Sequence, residues 1–69
     1  MPFDFTKMRK RRDKLKISRA ALGREIGVDG QTVYRWEIGD RSPSLHHVDQ
    51  IAAVLGIRPQ ELVCAEARP

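Results

Sequence analysis

The sequence predicts an all-α fold, a compact five-helix bundle. Three features predict it. Apolar residues recur at spacings of three and four, Ser or Asp stands before each of the first four periodic runs, and Gly27, Gly39 and Gly56 stand where runs end. With 69 residues there is room for one domain over 1–69. A core this small supplies little net stability alone, so association with a second copy is expected.

Asp4 or Thr6 caps the first helix. Its Phe5, Met8, Arg12 and Leu15 fall in one narrow arc, with Lys7, Lys10 and Lys14 opposite. An arginine inside an apolar arc is an anomaly. Ser18 caps a second helix, Arg19 to Ile26, and Gly27 ends it because glycine tolerates the left-handed conformation of a tight exit. Asp29 caps the third, Gly30 to Ile38. Val33 and Trp36 share one side of it with Glu37 at the edge, while Gln31, Arg35 and Ile38 face the other way, with Tyr34 beside them and Thr32 on the flank. The position of Trp36 on its helix assigns it to the core. Asp40 to Pro43 reads as a loop, after which Ser44 caps a fourth helix bearing Leu45, Val48, Ile51, Ala52 and Leu55. Pro59 to Val63 is expected to be the fifth helix, with Pro59 in its first turn, and 65–69 a frayed tail.

Charge narrows the function. The net charge is +4, and residues 1–16 hold seven Lys or Arg against two Asp, whereas 17–44 are balanced and 45–69 slightly acidic. A basic segment beside a neutral body suits a phosphate backbone or an anionic membrane surface, or is a solvated helix face. The narrow apolar arc of the first helix disfavours membrane insertion. No run is long enough to cross a bilayer, and the start of the chain has no apolar signal segment, so a cytoplasmic location is expected. The single Cys64 can form no internal disulfide and has no catalytic partner at recognisable spacing. His46 and His47 are adjacent and point apart on a helix, so neither a metal site nor any cofactor is expected, and the chain reads as a non-enzyme. So small a core leaves no room for a small-molecule pocket.

Two short helices joined by a turn at Gly27, the second exposing polar side chains, are the unit that enters a DNA major groove. The stretches SRAALGREIGV at 18–28, TVYRWEIG at 32–39, PSL at 43–45, IAAVLGI at 51–57 and EL at 61–62 together resemble the helix-turn-helix family of phage Cro and repressor proteins. The resemblance implies a lambda-repressor-like DNA-binding domain with its motif at about 18–38. It also implies the role of a transcription regulator, a repressor in a prokaryotic cell or phage, that binds double-stranded DNA. Three positions depart from the family's habit. Gly30 removes a side chain at the first helical position, Gly23 stands where alanine is usual, and Arg58 replaces a small polar cap.

The resemblance further assigns roles. Gln31, Thr32 and Arg35 become base readers, with Tyr34 and Ile38 near the backbone or a thymine methyl. Chemistry supports the choice, since glutamine pairs with adenine, arginine with guanine, and threonine offers a methyl to thymine. Ser18, Arg19, Arg41 and Ser42 become phosphate contacts, and Lys10 or Arg11 a flanking one. Arg12 pairs with Glu37, which accounts for the arginine in the apolar arc. A homodimer on an inverted repeat follows from two-fold symmetry, formed in solution or only on DNA, with Leu62 and Val63 near its surface. The alternatives are an interaction module of adaptor or antitoxin type, a membrane-surface role for the first helix, and a DNA-binding domain cut from a longer regulator. A methionine at position 1 and a complete fifth helix favour a whole protein over the last of these.

Overall fold

The computed structural model describes residues 3–63; Cys64 and the tail expected to fray lie outside them. Its elements are α1 (Phe5–Lys14), α2 (Arg19–Ile26), α3 (Gly30–Glu37), α4 (Leu45–Leu55) and a 3-10 turn, Pro59–Leu62. Each α-helix starts on a side-chain cap. Asp4 accepts from the Lys7 amide at 3.0 Å, Ser18 from Ala21 at 3.0 Å, Asp29 from Thr32 at 2.8 Å and Ser44 from His47 at 3.2 Å. Each cap satisfies an amide that the helix itself leaves open.

The described residues thus hold four α-helices where the sequence predicts five. The last segment has only four residues, too few for more than one turn, and its end is pulled straight. Val63 is extended and forms an isolated antiparallel bridge with Phe3, and the Asp4 amide donates to the Leu62 carbonyl at 2.7 Å. Arg58 has no side-chain acceptor for the first turn, and Glu61 reaches back instead to accept from the Arg58 amide at 3.1 Å.

Met8, Leu22, Val33, Ile51, Leu55 and Leu62 are fully buried and form the centre of one core, with Trp36 at its side. Burial of each large side chain contributes roughly 1.5–3 kcal/mol. Two sequence expectations are corrected. Phe5 and Leu15 lie in the apolar arc of α1 but are 41% and 39% exposed, because Met8 and Arg12 are the buried residues of that helix and Leu15 stands just past its end. Leu62 is wholly inside, beneath α1 and α4, and so is unavailable to a dimer surface.

The α2–α3 corner is closer than alanine allows. A Cβ at Gly23 would stand 2.5 Å from the Val28 carbonyl oxygen and 3.1 Å from the Asp29 carbonyl carbon, both backbone atoms. Gly23→Ala is therefore expected to destabilise by about 1–3 kcal/mol through overpacking, although alanine is better in a helix by about 1 kcal/mol. Urea unfolding checks the sign. A more stable variant would mean that the turn yields freely.

Candidate nucleic-acid interface

Helix α3 is fixed from one side and free on the other. Val33, Trp36 and Glu37 are buried, whereas Gln31, Tyr34, Arg35 and Ile38 are exposed and Thr32 is half-buried on the flank. The reason is periodicity. Buried positions recur at three and four, and the polar ones fill the remaining arc.

The loop after α3 brings a second set of groups to the same place. A cleft of about 300 Å³ is lined by Thr32, Arg35 and Trp36 of α3, by Arg41, Ser42 and Pro43 of the loop that follows, and by Ser44 and His47 at the start of α4. Candidate base readers and candidate phosphate ligands thus meet there. His47, which the sequence presents only as one of two adjacent histidines without a metal role, is part of this lining. Its ring faces Trp36 at 5.3 Å and its Nδ1 lies 3.2 Å from the Ser44 hydroxyl. Gln31 is outside this cleft, and Ser18 and Arg19 sit at the start of α2.

Behind the interface lies a buried charge cluster. Arg12 donates through Nε to Glu37 Oε2 at 2.5 Å and through Nη2 to Oε1 at 3.1 Å, and its Nη1 reaches the Ile17 carbonyl at 2.7 Å. Hydrogen bonding to Glu37 raises the Arg12 pKa further, burial opposes that, and the charges of Glu37 and Asp13 add to it. Arg19 is a third partner, its Nε donating to Glu37 Oε1 at 3.0 Å. The sequence signals the Arg12–Glu37 pairing through the polar residue in the arc. It carries no sign of the Arg19 contact, which joins helices through the tertiary fold.

Arg11, one of the two candidates for a flanking phosphate, makes a contact that the sequence does not signal. Its Nε donates to the Leu55 carbonyl at 2.9 Å, closing the C-terminal end of α4. Lys10 remains exposed on α1.

Hydrogen bonds from the Thr32 side chain and backbone hold the Asp29 carboxyl below the ordinary 3.8, with a smaller contribution from the charge of Arg35. A depressed folded value means that the stabilisation is present above the unfolded value and lost as pH falls through the folded one. The protection of the Thr32 amide, the slowing of its exchange relative to that of an open amide at the same pH, should therefore fall as the pH drops below about 4. In Asp29→Asn this acid dependence should vanish, and its persistence would assign the effect to another group.

Among the described residues, no helix is long and apolar enough to cross a membrane. A family model described as helix-turn-helix matches residues 8–62. Over 57 residues the chain is 33% identical to repressor protein C2 of Salmonella phage P22, covering 83% of this chain and 26% of that protein. It therefore spans about a quarter of the length of this curated relative. The solved P22 c2 repressor in complex with a synthetic operator superposes with a TM-score of 0.85 at 29% identity, over 96% of this chain and 100% of that one. FeII HppE in complex with its substrate matches at a TM-score of 0.82 and 28% identity, over 100% of this chain and 41% of that one. Since more than half of HppE lies outside the match, the likeness concerns only a shared helical module. With most of its length accounted for by one family model, the chain belongs to the Cro/C1-type helix-turn-helix family.

Proposed function

We propose that this chain is a sequence-specific DNA-binding transcription regulator, a repressor, that lays α3 in the major groove. The observation that carries the reading is the two-sided character of α3: one face is locked into the core, and the other offers Gln31 and Arg35 beside a cleft containing Arg41 and Ser42. Gln31, Thr32 and Arg35 read base edges. Ser18, Arg19, Arg41 and Ser42 hold the phosphates that fix register. The operator-bound P22 repressor, similar over nearly the whole of this chain, supports the reading.

Two copies act together on an inverted repeat, their α3 helices about 34 Å apart, because one short helix reads only a few base pairs. The 1–69 unit is one helix-turn-helix domain acting in the cytoplasm of a prokaryotic cell. Selection from a pool of randomised duplexes at two salt concentrations tests the proposal. A single enriched palindromic sequence is the expected result. Weak binding that collapses with salt and enriches nothing would overturn it in favour of a module that binds protein or bare backbone.

A further inference from the structure

Arg19 differs from Arg35 and Arg41 in being held by an ion pair before any DNA arrives. Its Nε is tied to Glu37, and its guanidinium carbon lies 5.1 Å from the centroid of the Tyr34 ring. Arg35 and Arg41 enter none of the ion pairs among the described residues. The Arg19 side chain is still 44% exposed. With Nε engaged and one face against the ring, its terminal NH2 groups remain for an outside acceptor, and a guanidinium edge matches a phosphate bidentately.

The charges favour such an acceptor. The Glu37 carboxylate, with its side chain 1% exposed, already takes two hydrogen bonds from Arg12. Two guanidinium groups share this carboxylate, and the second acid of the cluster, Asp13, lies 3.2 Å from Arg12 rather than on Arg19, so the positive charge of Arg19 is only partly neutralised at the start of α2. The helix dipole and open amides add to it there.

From this arrangement we infer that Tyr34 is a positioning residue: its ring carries the Arg19 guanidinium against Glu37 and presents the terminal nitrogens to a DNA phosphate. The inference rests on the DNA-binding reading above and assigns Tyr34 a role other than touching DNA. Part of the rotamer freedom that the phosphate contact would remove is already lost in the unbound protein. Tyr34 and Glu37 belong to α3, so the helix that reads bases also sets the aim of the phosphate grip.

The test uses the full chain and a duplex that the wild type has selected from the randomised pool, with binding followed by fluorescence anisotropy across a salt series. Tyr34→Leu is expected to weaken binding by about two- to fivefold for each chain bound, the strength of an exposed cation–π contact, with the salt slope and the base preferences unchanged. Tyr34→Phe, which keeps the ring, should restore the affinity. Arg19→Gln should lower the salt slope by about 0.9 for each chain bound, and Tyr34→Leu should add no further loss in that background.

Circular dichroism confirms that each variant is folded. The inference is overturned if the Tyr34→Leu loss persists beside Arg19→Gln, if Tyr34→Phe is as damaging as Tyr34→Leu, or if base preference changes. The last two results would mean that Tyr34 contacts DNA directly. A wild type that selects no sequence at all overturns the DNA-binding reading and this inference with it.

Discussion

Glu37→Ala is expected to destabilise the domain by about 3–5 kcal/mol, the largest effect of any single substitution considered for this chain. The loss comes less from the attraction removed than from what is left behind. Arg12, with its side chain 9% exposed, would keep its bond to the Ile17 carbonyl and a contact with Asp13 at 3.2 Å but lose its buried counter-charge. A domain of this size holds only about 3–5 kcal/mol in total, so the variant should be largely unfolded at 25 °C by circular dichroism. Replacing both partners tests the cause. Arg12→Met together with Glu37→Leu should recover most of the stability, because the pair stabilises far less than its broken halves destabilise. A Glu37→Ala protein within about 1 kcal/mol of the wild type would show that water reaches the cluster freely.

The second large effect is on recognition rather than folding. Arg35→Ala should leave the melting temperature nearly unchanged, since the side chain is exposed and enters no ion pair among the described residues. Its cost should appear as lost discrimination at one base position, about 1–3 kcal/mol for each contact and about 2–6 kcal/mol where two chains read an inverted repeat. Competition between the selected duplex and versions substituted one base pair at a time checks this. Arg41→Ala provides the contrast, because loss of a phosphate contact weakens binding to every duplex alike and flattens the salt dependence. If Arg35→Ala behaved as Arg41→Ala is expected to, Arg35 would be a backbone ligand and base reading would rest on Gln31 and Thr32.

Most of the helical framework is legible in the chain because its signals are local. Ser18, Asp29 and Ser44 act within three residues of themselves, and α2 and α4 begin and end where their caps and glycines indicate. The errors occur where distant parts decide. Nothing near Val63 announces that Phe3 will draw it into an extended bridge, so a short helix is expected and a 3-10 turn is found. Nor does Lys16 signal its positive φ of 58°, an angle unusual for a side chain that could as well occupy a helix.

The candidate interface divides in the same way. The polar arc of α3 follows from periodicity, and Arg12 betrays itself as a charge among apolar neighbours. The role of Glu37 as a shared acceptor does not follow, because Arg19 reaches it from another helix through tertiary packing. Gly23 is legible only as a small residue. The 2.5 Å approach to the Val28 oxygen, which excludes even a methyl group, becomes visible only once the turn is built.

The pairing of Phe3 with Val63, with Asp4 donating to Leu62, makes the described chain nearly a ring. A ring has no privileged opening. Joining these two edges with a short linker and cutting instead in the loop between α3 and α4 would preserve every helix and the contacts between them. A rearranged chain of this kind should fold to the same shape, although the new cut would free the wall of the cleft that holds Arg41. By the same closure, tethers attached at positions 3 and 63 leave from a single point. Anything they carry would turn about one shared pivot while α3 keeps its orientation.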